Sequence, residues 1–490
     1  MAKFLRASLL LILVCVCTWV AVILYWNGIH LVPSTEDVAI YLLILPLTIF
    51  LAVLGANWLW QRRKARLAAP PVVAGATAAS ATSAPAPATL HTLKVIAAEV
   101  VTPLGEELGA IAEALQAAPI PPLDTALYDA NGFPLATRRC ADIDLTLLPP
   151  AWQQDEENQA PNVAKQRALA LLAGVVGRLG GVLTQLAAAQ TLHIRPRQPQ
   201  RAAELNPAWL GDAAPESTDK AQSHQRVPTL LRVQLLLEPG LDEAGNATVL
   251  AWLHEQLAPY GLTDAQLQME IRAMSANSLA KHLNAIVDEL AAFSQPVVVL
   301  LLAADSSVCQ QSLNEGLLGD DVADRAGMHF PGEAAAALLL ANAAFDMADC
   351  PTLAQLGMAD LAECEPIART RPHAAKALLN LFALQTHRRT LPVDIGWLCT
   401  GLALGPEATE AASLLAVAPT PLQMNEVLHL RSVTGDAGIG GRLTGYALAS
   451  QMVAQQSVPT LLVLNDGWLE RGLCLLETAP EQPAPPAADT

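Results

Sequence analysis

The residues best placed to do chemistry lie in VVVLLLAADSSVC, an apolar run that ends in Asp305, Ser306, Ser307 and Cys309. A thiol or hydroxyl at the turn into a following helix meets the positive end of the helix dipole, which favours a thiolate and therefore acyl transfer. The same residues also suit a plainer arrangement, in which Asp305 and Ser306 cap the turn or helix and Cys309 packs inward. With no His nearby to act as a base, capping is the favoured reading. A second candidate is the glycine-rich GDAGIGG of Gly435–Gly441, which could cradle a phosphate. It departs from GxGxxG and has no Lys in the phosphate-reaching place, so a tight turn leading into a helix is the better reading. The sequence contains no GxxxxGK[ST], HExxH, GxSxG or CxxC, and its ten His are dispersed. Neither a metal nor a cofactor is expected.

The elements that must carry these residues follow from hydrophobic patterning. LKVIAAEVV, TLLRVQLLLE, VVVLLLAAD, AAAALLLAN and TLLVLN read as buried strands. Lys165–Gln190, Ser278–Phe293 and Arg442–Gln455 carry helical spacing, and alternation of the two predicts a layered α/β body. Upstream lie two charge-free apolar stretches, 9–26 and 38–60, each long enough to cross a bilayer. Lys3 and Arg6 precede this hairpin and Arg62, Arg63, Lys64 and Arg66 follow it, while the connecting loop has no Lys or Arg. The asymmetry puts both chain ends, and hence the large body, in the cytoplasm. The expected organisation is a transmembrane hairpin over 1–66, an Ala/Pro-rich tether over 67–90, a folded body over 91–478 and a disordered tail over 479–490. Lys and Arg number 29 against 46 Asp and Glu, a net charge of -17, which leaves no broad basic face for nucleic acid. The cysteines are scattered without a pairing pattern, so free, mostly buried thiols are expected.

Taken in order, several segments resemble the β-ketoacyl synthases and their thiolase-fold relatives. Val101-Thr102-Pro103-Leu104-Gly105 matches the V-T-P-L-G at the family's first strand. ADRAGMHFPGEAAAALLLAN, from Ala323, is similar to the A-D-R-D-G-F-x-x-G-E-G-A stretch and its core strand, and RSVTGDAGIGGRLTGYALASQMVA, from Arg431, is similar to K-S-x-x-G-H-x-x-G-A-x-G. LNDGWLERGLCLLE, from Leu464, resembles the closing turn and strand. The resemblance implies a thiolase-like body of two related halves, over 91–345 and 346–478. It also implies where the catalytic Cys and two His should stand, and none of the three is there. Ser275 or Ala276 occupies the nucleophile's place, Thr400 the first His and Asp436 the second, while Arg431 replaces the Lys. The scaffold residues Gly332, Glu333, Glu407, Glu410 and Ser432 persist. A serine hydroxyl needs an adjacent base to act as nucleophile, and none is evident in the sequence.

An anchored, acidic, thiolase-like body without its nucleophile reads as a binding protein. The whole chain resembles the bacterial type VI lipase adapter family, whose members help load a phospholipase effector onto the secretion spike. That resemblance implies an inner-membrane protein facing the cytoplasm, with a lipase effector and a spike protein as partners. The rival reading is a membrane-tethered acyl transferase or condensing enzyme that uses Cys309 or Ser275 on acyl-carrier or acyl-coenzyme A substrates. The membrane topology has its own test. Reporter fusions at Ser34 and at Thr490 are expected to report opposite compartments, with the carboxyl-terminal fusion cytoplasmic; two periplasmic reports would refute the hairpin.

Overall fold

The computed structural model describes residues 91–479 together with Trp19. Within that range it omits 118–119, 130, 150–151, 153–162, 189, 194–224, 229, 318–329, 347–349, 364–371, 388–394, 402–407, 417–421, 424–425 and 466–469. The expected transmembrane spans and tether, the tail from residue 480, Glu407 and the ADRAGMH segment therefore lie outside the described residues.

The first set of elements comprises β1 (Thr92–Val101), α1 (Leu108–Ala117), the hairpin β2 (Leu123–Tyr128) and β3 (Pro134–Ala136), α2 (Val163–Arg178) and α3 (Gly180–Ala188). It continues through the pair β4 (Gln190–His193) and β5 (Gln225–Pro228), then β6 (Leu230–Leu237), α4 (Glu243–Leu257), β7 (Leu267–Ala273), α5 (Leu279–Ala291), β8 (Val297–Ser306), α6 (Gln310–Leu317) and β9 (Glu333–Ala341). The second set is β10 (Ala354–Gly357), β11 (Asp360–Glu363), α7 (Pro372–His387), β12 (Trp397–Thr400) and α8 (Ala408–Leu415). It closes with β13 (Val427–His429), α9 (Leu430–Thr434), α10 (Gly438–Gln456), β14 (Thr460–Asn465) and β15 (Glu470–Glu477).

The two sets repeat one topology. In the first, strands run in the order β1-β9-β8-β6-β7, with β9 antiparallel to both neighbours and β8, β6 and β7 mutually parallel. In the second, β10-β15-β14-β12-β13 has the same order and the same directions, with β11 added on β15. The halves join where β1 pairs antiparallel with β10, Thr92 opposite Gly357 and Val95 opposite Ala354.

Both faces of these strands are covered, which is why β8 and β9 are apolar almost throughout instead of alternating. Period-two geometry sends Ala335, Ala337 and Leu339 of β9 into a core with α2, α3 and α4, and Ala336, Leu338 and Leu340 into a second core with α5 and α10. That second core also receives Cys399, Leu462, Cys474 and Leu476 from the other half. A third core packs α7 and α8 against Leu398, Leu461, Val463 and Leu473. The body is thus a mixed α/β fold around one continuous eleven-stranded sheet, with α5 and α10 in the core to which both halves contribute.

The five apolar runs form strands as the patterning predicts, but the single helix expected over 165–190 does not form. The chain bends by 55° between α2 and α3. Two adjacent glycines, Gly180 and Gly181, weaken the helix there, and Gly180 admits the Tyr260 ring, whose Cε1 would lie 2.6 Å from a Cβ at that position. Among the described residues no single helix is long and apolar enough to cross a membrane. The bent pair has the length and apolarity, and it is packed on the sheet through Leu169, Leu172, Val176 and Leu183.

Each half pins the start of its antiparallel strand with a buried arginine–glutamate pair. Glu333, fully buried at the start of β9, accepts from Arg167 Nη2 at 2.6 Å and Nε at 2.9 Å, from the Cys140 amide at 2.5 Å and from Ser306 Oγ at 3.0 Å. In the second half Arg471 of β15 donates to Glu410 of α8 at 2.9 and 3.4 Å, both side chains being buried. Removing one partner strands the other charge away from water. Glu333→Ala is therefore expected to lower the unfolding free energy by about 3–5 kcal/mol, against less than about 1 kcal/mol for Arg272→Ala, which breaks the exposed pair with Glu270. Equilibrium denaturant unfolding of both variants checks the contrast.

Candidate functional site

A group of carboxyls in perturbed environments meets where both halves contribute. Parallel strands β6 and β8 end side by side, so Glu238, just after β6, and Asp305, the penultimate residue of β8, emerge at one edge. The second half presents the turn Gly435–Gly438 and the start of α10 to the same place. That turn is bound to the first half by backbone hydrogen bonding. The Asp436 amide donates to the Phe330 carbonyl at 2.8 Å, and the Asp436 carbonyl accepts from Ser307 Oγ at 2.6 Å. Gly332 must be glycine here, because a Cβ would collide with the Thr434 carbonyl and lie 2.6 Å from Gly435 Cα.

The sequence fits this geometry at two further glycines. Gly435 has φ +66° and Gly438 φ +45°, a region that side chains resist. A Cβ on Gly438 would collide with Asp305 Oδ2 and sit 3.2 Å from Glu238 Oε1, so both carboxylates close on one point. Asp305 accepts the Ser306 backbone amide at 2.8 Å, and its Oδ2 lies against the start of α10 at Gly438. Burial, reinforced by the charges of Glu238 and Asp436, nevertheless pushes its carboxyl up to about 7. Burial first, and Asp436 second, also raise Glu238, against the opposing pull of Lys165 and a hydrogen bond from the Ala276 amide. Lys165 of α2 is itself lowered by burial, countered by Asp305 and Glu238, and its ammonium donates to the Pro239 carbonyl at 3.4 Å.

The residues singled out from the sequence fall around this cluster to different degrees. Ser275 follows β7 and precedes α5; it is exposed, and its Oγ lies 2.8 Å from Ser278 Oγ. Asp436 is exposed beside Glu238 and Asp305 and acts on both. Thr400 ends β12, fully buried, in register between His429 and Val463. Cys309 does not face the cluster. Its buried thiol stands before α6, 3.0 Å from Ser312 Oγ, and accepts the Ser312 amide at 3.3 Å, as in the capping reading. Ser306 is likewise structural, through its bond to Glu333.

Sequence reasoning missed Glu238, Lys165 and His429. Glu238 offered one signal, a lone acid closing an apolar strand run. Lys165 and His429 offered none, since only strand register and helix packing bring them in. His429 stands beside Thr400 across the parallel pair, its imidazole held below the usual range by burial, and its buried Nδ1 has no hydrogen-bond partner among the described residues. Among those residues no group of three or more His, Cys, Asp or Glu is arranged to hold a metal ion.

No family model matches the chain, and no curated protein does. Solved structures similar to it include the ishigamide ketosynthase/chain length factor, at 13% identity and TM-score 0.45 over 79% of this chain and 100% of that one. A fungal type III polyketide synthase, ORAS, is 12% identical at TM-score 0.43 over 79% and 100%. The ketosynthase from module 6 of the bacillaene synthase from Bacillus subtilis 168 is 11% identical at TM-score 0.47 over 80% and 71%.

The glycine requirement at the cluster is directly testable. Gly438→Ala combines a positive φ with a collision against a buried carboxylate and is expected to cost about 2–3 kcal/mol. Gly181→Ala, where a Cβ meets nothing within 4 Å in a helix, is expected to be neutral or stabilising by up to about 1 kcal/mol. Thermal and denaturant unfolding of the two variants measures the difference.

Proposed function

We propose that the chain is a non-catalytic adapter, anchored in a bacterial inner membrane with its ketosynthase-like body in the cytoplasm, that binds a lipase effector and helps load it onto the type VI secretion spike. The observation that carries the non-catalytic part is the cluster of Glu238, Asp305 and Asp436 where the two halves meet. An acyl nucleophile there would need donors aimed at a developing oxyanion, and carboxyl groups have the sign that repels one. Ser275, at the nucleophile's place, has another serine hydroxyl as its neighbour in place of a base. A body that cannot stabilise the intermediate but keeps the scaffold is left with surface recognition. The choice of effector and spike as partners, and of the inner membrane, rests on the sequence resemblance and on the basic residues flanking the apolar hairpin.

Intact-mass analysis of the detergent-solubilised protein with acyl-coenzyme A and acyl-carrier donors is expected to find no covalent acyl adduct. Ser275→Ala and Cys309→Ala are expected to leave capture of a lipase and a spike protein unchanged within about 0.5 kcal/mol. A stoichiometric adduct that disappears in either variant would establish the rival acyl transferase.

A further inference from the structure

We propose that Glu238, Asp305 and Asp436, with Lys165 as counter-charge, form a proton-operated latch between the two halves. It holds the glycine-hinged start of α10 closed while Asp305 keeps a proton and loosens it when Asp305 ionises. This inference is independent of the adapter reading.

Three features of the geometry converge on it. The carboxylates come from separate elements, β8, the end of β6 and the turn before α10, and the oxygens of Asp305 and Glu238 close on the point a Gly438 Cβ would fill. Two carboxylates so placed in a half-buried site favour holding one proton between them over carrying two charges. The start of α10 is built on glycine: Gly435 and Gly438, both at positive φ, bracket Asp436 and Ala437, and the 19-residue α10 begins with no side-chain cap. The Asp305 carboxyl lies directly against that start, its Oδ2 standing where a Gly438 Cβ would be. The charged groups acting on Asp305 are Glu238 and Asp436, which oppose ionisation, and Lys165 of α2, which favours it. Burial is the largest cause of the upward shift to about 7.

The direction of the pH effect follows from these positions. In the opened form water solvates the Asp305 carboxyl, which then ionises in the ordinary range near 3.8, whereas the closed form keeps its proton to about 7. The closed form is fully favoured below the lower value, loses ground as the pH rises through the interval and levels off above about 7.

Hydrogen exchange of the detergent-solubilised full chain, read on peptides spanning residues 430–445 and corrected for intrinsic exchange, tests the latch. Protection of the first turn of α10 is expected to fall at least tenfold between about pH 5 and pH 8 in the native protein, and less than about twofold in Asp305→Asn. Glu238→Gln removes a repelling charge, so the loss should level off at lower pH; Lys165→Met removes an attracting one, so it should continue to higher pH. The two shifts decide the matter even if Asp305→Asn does not fold. No loss in the native protein, an unchanged loss in Asp305→Asn, or a shift of either other variant in the opposite direction would overturn the proposal.

Discussion

A single buried carboxylate fixes the geometry on which the first half depends. Glu333 is removed from water and must be neutralised where it stands, so it gathers Arg167 from α2, the Cys140 amide from the loop after the β2–β3 hairpin and Ser306 from the end of β8. A charge in a low-dielectric interior tolerates little displacement of its partners, which makes this cluster a rigid reference point. Burial, followed by the charge of Glu333, also pushes the Cys140 thiol up, so that cysteine stays protonated and inert. Because Ser306 is held there, its neighbours Asp305 and Ser307 have no freedom of placement. Ser307 bonds the Gly332 backbone and the Asp436 carbonyl, and Asp305 meets the start of α10. The contact between the halves is in this sense built outward from Glu333.

That contact carries an unusual charge pattern for the start of a long helix. One carboxylate at a helix amino terminus is stabilising; here Asp305 is joined by Glu238 and Asp436, and the burial and mutual repulsion of these carboxyls raise Asp305 and Glu238 despite the helix dipole and one lysine. The cluster sets the sign of the local field negative where the two halves meet.

The repeated strand order explains why the cores are so uniformly apolar. Each half buries both faces of its strands, and α5 and α10 lie in the core to which strands of both halves contribute. Small residues allow the close layering: Gly440 of α10 would meet the Ala334 carbonyl at a distance no Cβ tolerates, and Ala334–Ala337 of β9 are fully buried. Thr444 and Ser450 satisfy their hydroxyls on carbonyls one turn back, so even the polar residues of α10 can face the core.

What the sequence determined by itself was the five most apolar strands and the class of the body. Runs such as VVVLLLAAD and AAAALLLAN can be stable only between two covered faces, and burial of apolar surface is a local property of each segment. It also favoured an inward-packed Cys309 over a nucleophilic one, since no base stood within reach along the chain, and the thiol is buried. Helix continuity was less legible, because the break at Gly180 depends on Tyr260 arriving from a distant turn. The candidate site was the least legible part. Asp305, Ser275 and Asp436 could be named from the chain, but that Asp305 and Asp436 form one cluster with Glu238 and Lys165 was decided by strand register, a positive-φ turn and the packing of α2. Electrostatic coupling falls off with distance in space, and distance in space between residues 165, 238, 305 and 436 is something only the tertiary structure supplies.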